Sequence, residues 1–111
     1  LEQEVPVVVT QFDVFENPDP ESAAAHPYFL ILQADRLKEL NTRIVAPLVA
    51  PKTLPGFERL MPVVSVKNKN LVVDVANVGV FPLKLIPKPI ANLETERYRI
   101  VGAIDLIFTG I

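Results

Sequence analysis

Hydrophobic and polar residues follow the period of short β-strands over much of the chain. Residues 11–15 alternate, with Phe12 and Val14 on one side, which is typical of a half-buried strand. Residues 28–32 are apolar throughout and predict a well-covered strand. Further strands are predicted at residues 43–48, 61–66, 71–78 and 80–86. Because no crossover helices separate these strands, an antiparallel sheet is expected and a doubly wound fold is excluded.

Turn-forming residues separate the predicted strands. Asn, Pro and Asp at residues 17–20 end the first strand, and residues 35–40 predict a short charged turn. The Asn-rich stretch 67–70 predicts the turn of a hairpin. One helical turn is expected near residues 57–60. Pro82 indicates that the last strand lies at an edge or carries a bulge.

The end of the chain, residues 92–111, predicts a helix. Asn92 is a suitable N-cap, and Glu94 and Glu96 would place negative charge in the first turn, where the helix dipole favours it. One helical face carries Ile100, Ile104, Ile107 and Ile111. The consecutive apolar residues 106–108 extend this surface around more than one side. We therefore expect a second copy or another protein to cover part of it; the alternative is a helix buried in its own core.

Together these elements predict an α+β, mainly β fold, with a strongly bent antiparallel sheet or partial barrel and a C-terminal helix. The chain has 111 residues, which predicts a single domain. We assign residues 10–111 to that domain and residues 1–9 to an N-terminal extension or tag remnant. Half of the residues are hydrophobic but only 7% are aromatic, so the core is expected to be mainly aliphatic.

Composition excludes several classes of function. The net charge is −2 and no Lys/Arg block occurs, so a nucleic-acid-binding footprint is not indicated. The absence of Cys excludes disulfide scaffolds and thiol chemistry, and it fits a cytoplasmic location. No apolar run approaches the ~18 residues of a membrane span, so no membrane association is expected.

No catalytic or metal-binding constellation is evident. His26 is the only histidine, and neither Ser22 nor Ser65 has the flanking glycines of a nucleophile elbow. A loop histidine at the surface is the simplest interpretation. No residues have metal-ligand spacing, and the four glycines form no phosphate-binding loop. We therefore expect no enzyme activity, no metal and no cofactor.

Two acidic residues stand in apolar surroundings. Asp74 shares a predicted strand face with Val72 and Ala76, which favours the solvent face; the alternative is a buried, paired carboxylate. Asp105 lies in the apolar end of the predicted helix. It is either a solvent-facing residue or one polar contact within a binding patch, and the sequence leaves both readings open.

Several segments together resemble the CcdB toxins, the gyrase poisons of bacterial toxin–antitoxin pairs. In chain order they are QFDVF (11–15), LQAD (32–35), NTRIVAPL (41–48), LMPVV (60–64) and AIDLIFTGI (103–111). The resemblance covers residues 10 to 111. It implies an SH3-like barrel of the kind shared with the MazF toxins, and a homodimer in which the two helices approach near the dyad, with Ile104 and Ile107 in the interface.

The resemblance also implies partners. CcdB toxins bind the A subunit of DNA gyrase and hold its cleaved DNA complex open. A CcdA-like antitoxin removes them, and the toxin–antitoxin complex represses its own promoter, so DNA contact is indirect. Carried over by position, the gyrase-binding residues are Asp105, Phe108, Thr109, Gly110 and Ile111 at the helix end and Arg36 and Leu37 in a loop. The well-studied toxins have Trp at the position of Thr109, Asn at that of Asp105 and an apolar residue at that of Arg36.

Two alternatives remain. MazF-type ribonucleases share the barrel and use an Arg with a nearby hydroxyl at the scissile phosphate, which Arg43 and Thr42 could supply. Such an enzyme should also offer a basic groove, and none is apparent in the sequence. The second alternative is a non-toxic CcdB homologue, because the three departures named above remove features of the gyrase-binding surface.

Overall fold

The computed structural model describes residues 8–51 and 54–110. Its strands are β1 (Asp13–Glu16), β2 (Tyr28–Ile31), β3 (Thr42–Val49), β4 (Val63–Val66), β5 (Lys69–Val73), β6 (Gly79–Pro82) and β7 (Ala91–Asn92). One α-helix, α1, spans Arg97–Thr109. Short 3-10 turns lie at Asp35–Leu37, Glu58–Leu60, Val75–Asn77, Leu83–Leu85 and Glu94–Glu96. The helical turn expected near residues 57–60 is therefore confirmed.

The strands form one antiparallel, nearly closed barrel with α1 packed against it, as the sequence predicts. The strand order is β4-β5-β3-β2-β1-β7. The long strand β3 pairs with β2 along one edge, and its other edge is shared by β5 at Leu48 and Val49 and by β6 at residues 42–45. Because β5 and β6 pair with different parts of the same edge of β3, the sheet bends between them.

The central strands separate two apolar clusters, one on each face of the sheet. The main core, inside the barrel, includes Val14, Leu30, Ala46 and Leu48 together with Ile100 and Ala103 of α1. The smaller outer cluster consists of Phe15, Ile31, Val45 and Ile86. Alternate residues of one strand thus enter different clusters. The strand predicted at residues 28–32 is thus well covered, and the two clusters explain its continuous apolar run.

The hairpin predicted at residues 67–70 is present, but its turn is shorter than expected. Lys67 and Asn68 alone form it, with φ of 50° and 66°, while Lys69 and Asn70 already pair with β4. Two consecutive positive φ angles define a type I′ turn, whose twist matches that of the flanking strands. Asn tolerates this conformation better than most residues, which is the physical basis of the signal.

Other predicted strand boundaries were wrong. β1 begins at Asp13 rather than residue 11, and β5 ends at Val73 rather than residue 78. A 3-10 turn follows β5, because Asn77 donates its backbone N–H to the Asp74 carbonyl and its side-chain Nδ2 to Asp74 Oδ2 at 2.8 Å. Asp74 is consequently half-buried outside the strand, and not on a strand's solvent face.

The last predicted strand is also shorter than expected. β6 ends at Pro82 instead of residue 86, and a 3-10 turn takes up the chain at Leu83–Leu85. Within the described ranges β6 pairs only with β3, so the edge position indicated by Pro82 is confirmed.

The helix begins five residues later than predicted (97 against 92), because Asn92 belongs to β7 and pairs with Asp13 of β1. Its Oδ1 accepts the N–H of Glu94 at 2.8 Å and its Nδ2 donates to Asp13 Oδ1 at 2.9 Å. Asn92 therefore forms an Asx turn that leads into the 3-10 turn, and it does not cap α1. At the other end Gly110 is left-handed, with φ 72°, and donates its N–H to the Leu106 carbonyl, which confirms it as the helix stop.

The structure describes only part of each chain end. Residues 1–7 of the proposed extension and Ile111 lie outside the described residues. Val9 is half-buried and packs against the outer cluster. Among the residues described, no helix is both long and apolar enough to cross a membrane.

Candidate functional site

Helix α1 leaves the barrel core along its length. Ile100 and Ala103 are fully buried, Ile104 is half-buried, Ile107 is 40% exposed and Phe108 is 75% exposed. The face predicted from the isoleucine spacing is thus core at its start and surface at its end. We call residues 105–110 the helix tip. Phe108, the largest apolar side chain of the helix tip, is mostly exposed in a single chain.

An apolar groove of about 260 Å³ runs beside the helix tip. Its lining consists of Leu32, Gln33, Ile44, Val75, Val78, Ile104 and Phe108. Leu32 follows Leu30 and Ile44 precedes Ala46 on the inner face of the sheet, by strand alternation. The groove, here named the end groove, is therefore the barrel interior continued to an open end. Val80, opposite Ile44 in the β3–β6 pairing, adds a further exposed apolar side chain.

The loop predicted to bind gyrase lies at the same end of the barrel. Arg36 and Leu37 belong to the 3-10 turn of the β2–β3 loop (residues 34–41), and Leu37 is 50% exposed. Gln33 lines the end groove beside Phe108 and donates its Nε2 to the Leu37 carbonyl at 3.3 Å. Through Gln33, the loop and the groove beside the helix tip are neighbours in the fold, although they are far apart in the sequence.

The remaining predicted contact residues have distinct environments. Asp105 and Thr109 are exposed, and the Thr109 hydroxyl donates to the Asp105 carbonyl, one turn earlier, at 2.5 Å. Gly110 ends the helix in the exposed left-handed cap. Of the two predicted dimer contacts, Ile104 lines the end groove and Ile107 is exposed next to it.

Arg43 does not offer its guanidinium to solvent. It is 6% exposed, and its Nη1 donates to the carbonyls of Leu40 at 2.7 Å and Thr42 at 2.9 Å. Its Nη2 donates to the carbonyl of Lys38 at 3.0 Å. Thr42 is exposed while Arg43 is turned inward, so the pair does not form a common phosphate-facing surface.

The histidine and the serines are not assembled into a catalytic arrangement. The His26 ring stacks on Phe29, with ring centroids 6.5 Å apart. Ser22 Oγ donates to Asp19 Oδ2 and accepts from Asn17 Nδ2, which makes it part of a loop network. Ser65 is exposed on β4. Within residues 8–51 and 54–110, no three His, Asp or Glu side chains could hold a metal ion together.

An ion pair anchors the base of α1. Arg97 Nε lies 2.6 Å from Glu94 Oε1, and the Arg97 guanidinium sits 4.8 Å from the centroid of the buried Phe12 ring. The hydrogen bond from Arg97 holds the pKa of Glu94 below its usual value, and the same bond raises the pKa of Arg97. The contact between Arg97 and Phe12 ties the base of the helix to the barrel core.

Sequence reasoning missed Gln33. Its side chain is 7% exposed and donates to the carbonyls of Leu37 and Thr42 while accepting the N–H of Ile44. The only local signal was a polar residue directly after an apolar strand, and this pattern is usual at strand ends. Its role depends on β2 and β3 lying side by side, which the local pattern does not reveal.

Comparisons with known proteins agree with this geometry. The family model described as CcdB protein matches residues 11–110. A mycobacterial endoribonuclease, solved in complex with its cognate antitoxin, has a similar fold, with a TM-score of 0.71, 8% identity, and coverage of 91% of this chain and 95% of that chain. The Mycobacterium tuberculosis toxin MazF-mt6 superposes with a TM-score of 0.59 and 23% identity, over 73% of this chain and 84% of that chain. No curated protein sequence matches this chain. Since the family model spans nearly the whole chain, the protein belongs to the CcdB family of toxin–antitoxin proteins.

Proposed function

We propose that this protein is the toxin of a type II toxin–antitoxin pair and that it acts by binding the A subunit of DNA gyrase. The helix tip and the β2–β3 loop form the contact surface. The protein traps the cleaved gyrase–DNA complex and performs no chemistry of its own. A cognate CcdA-like antitoxin neutralises it in the cytoplasm, and DNA is contacted only through the toxin–antitoxin complex.

The observation that carries the proposal is the exposure of Phe108 at the end of α1. An aromatic side chain that is 75% exposed beside an apolar groove is a suitable anchor for a protein partner. The ring stands on a helix whose base is buried at Ile100 and Ala103, so the barrel presents it rigidly. A rigid anchor loses little conformational entropy on binding.

An antitoxin partner is supported by the comparison with the mycobacterial endoribonuclease, since that protein was solved with its own antitoxin. The two chains share the fold over most of their lengths. For the present chain we infer that the barrel surface likewise receives a cognate antitoxin.

A homodimer is supported by the end groove. The exposed side chains of Ile44, Val80 and Ile107 add apolar surface at this end of the barrel. A two-fold interface pairs the same patch on both copies. In the proposed dimer, Ile104 and Ile107 of each copy face the partner across the axis.

A MazF-like endoribonuclease is the second candidate, and the fold similarity to an endoribonuclease favours it. Two features of the chain argue for binding rather than cleavage. The guanidinium of Arg43 donates to three backbone carbonyls, and the net charge of −2 lacks the basic excess of an RNA groove. A non-toxic CcdB homologue is the third candidate, since Thr109 stands where the well-studied toxins have Trp.

Induced expression in bacteria that carry either wild-type or toxin-resistant gyrase tests the three candidates. Growth arrest that resistant gyrase relieves is the expected result. Arrest in both strains, together with cleavage of purified RNA that an Arg43→Ala change abolishes, would establish the ribonuclease instead. Absence of arrest in either strain, with soluble protein present, would leave the non-toxic homologue.

A further inference from the structure

The β2–β3 loop does not bury any of its own side chains. Every residue from 34 to 42 is exposed, including Leu37 at 50% and Leu40 at 51%. Its regular structure is one 3-10 turn of 3 residues, which is too short to be stable by itself. Some other interaction must therefore hold the loop in a single conformation.

Arg43 supplies the first such interaction. It lies at the start of β3 with its guanidinium buried beneath the loop, where it binds the carbonyls of Lys38, Leu40 and Thr42 at 2.7–3.0 Å. These carbonyls follow the 3-10 turn at alternate positions, so one planar group fixes the whole second half of the loop. A lysine ammonium, a point donor on a flexible stem, could not match this fork geometry.

Gln33 supplies the second interaction, from the other side of the loop. Its Nε2 donates to the carbonyls of Leu37 at 3.3 Å and Thr42 at 3.2 Å. Its Oε1 accepts the backbone N–H of Ile44 at 3.2 Å. Both the NH₂ group and the carbonyl oxygen of the side-chain amide are thus satisfied, and the side chain links the end of the 3-10 turn to the start of β3.

A third contact joins the loop to the base of the helix. Asp35 Oδ1 accepts the backbone N–H of Gln11 at 2.8 Å, and Gln11 Oε1 accepts a hydrogen bond from Arg97 at 3.2 Å. Arg97 lies in the first turn of α1. The loop and the helix that carries the tip therefore share one hydrogen-bonded frame.

The chemistry of Arg43 indicates what this frame is for. Burying a cation costs desolvation free energy, and an apolar side chain at this position would be buried without that cost. In the described part of the chain, its hydrogen bonds go only to backbone carbonyls of residues 38–42. The burial thus stabilises one loop conformation and contributes little to the barrel core.

We infer that Arg43 and Gln33 are positioning residues that hold the β2–β3 loop preformed for its protein partner. The inference rests on the proposed function, since it assigns to Arg36 and Leu37 a place in the contact surface. A preformed loop avoids an ordering cost at the moment of binding and speeds productive encounter. Loss of either residue leaves the helix tip intact but lets the loop sample other conformations.

Hydrogen exchange on the full-length protein tests the loop directly. In the native loop Leu37 donates its N–H to Ala34, Lys38 to Asp35 and Leu40 to Leu37. We expect Arg43→Lys and Gln33→Met each to accelerate exchange of these amides by about tenfold or more. Amides of β2, β4 and β5 should keep their wild-type protection. Arg36→Ala is the matched control, because it alters an exposed loop side chain that makes none of these bonds.

Association kinetics with purified gyrase A test the consequence for binding. Arg43→Lys should lower the association rate several-fold, whereas Arg36→Ala should act mainly on the dissociation rate. Unchanged loop exchange in both positioning variants, or acceleration spread equally over the whole barrel, would overturn the inference. So would faster loop exchange with unaltered association to gyrase A. If the wild-type protein fails to bind gyrase A, the proposed function fails, and the exchange experiment still decides whether the loop is held as described.

Discussion

Replacing Phe108 by Ala should weaken target binding while leaving the fold nearly intact. Full burial of a Phe side chain stabilises by roughly 1.5–3 kcal/mol. Because 75% of Phe108 is exposed in the single chain, most of that free energy remains for a partner. We therefore assign roughly 1–2 kcal/mol to its burial on binding, which corresponds to roughly 5- to 30-fold in Kd.

Ile100→Ala is the matched control on the same helix. Ile100 is fully buried in the main core, so its truncation should cost about 2–5 kcal/mol of folding stability. For a domain of this size that lowers Tm by roughly 8 °C or more. Phe108→Ala should lower Tm far less, because only a quarter of its surface is covered.

Thermal unfolding by circular dichroism and gyrase A binding by surface plasmon resonance should be measured on both variants. Sedimentation of each variant separates loss of target contact from loss of self-association. A Tm for Phe108→Ala as low as that for Ile100→Ala would mean that the ring belongs to the core. A normal Tm with unchanged gyrase affinity would remove the helix tip from the contact surface.

Four further outcomes follow from the structure. Deleting residues 109–111 should abolish gyrase binding and leave Tm near wild type, because, of the described residues, the deletion removes only the end of α1 and its C-cap and no residue of the main core. A large fall in Tm would refute this. Thr109→Trp should tighten gyrase binding by restoring an aromatic anchor, and unaltered affinity in a titration would contradict the family geometry. Ile107→Asp should shift a dimer towards monomer in sedimentation at micromolar concentration, and a wild-type monomer there would exclude the dimer. Glu94→Gln should lower Tm at neutral pH, because the hydrogen bond from Arg97 depresses the pKa of Glu94 below its ordinary value of about 4.5. That contribution is present above pH 4.5 and is lost as pH falls through the lowered folded pKa, so the Tm gap should close in acid; a gap that widens would refute the assignment.

Arg43 and Asn92 show where local sequence patterns stop being informative. Asn92 has the features of a helix N-cap, yet a strand pairing with Asp13, 79 residues away, places it in β7. Arg43 next to Thr42 has the composition of a phosphate site, yet its guanidinium is turned into a loop. For Asn92 a tertiary contact outweighs the local preference. The partners of Arg43 are close in sequence, but they depend on a loop conformation that leaves no periodic signal.

The sequence by itself predicted the antiparallel sheet and the hairpin, because alternation and turn chemistry are local properties, and the order of the motifs along the whole chain indicated the family. The apolar run at residues 28–32 indicated a well-covered strand, and the two clusters around Leu30 and Ile31 cover it. The gyrase contacts and the dimer stay predictions. Only the tertiary structure decided how the helix tip and the β2–β3 loop are linked: Gln33 lines the end groove with Phe108 and donates to the Leu37 carbonyl. The physical reason is that both placements depend on long-range contacts: β2 pairs with β3 on either side of the loop, and Ile100 and Ala103 of α1 pack into the main core.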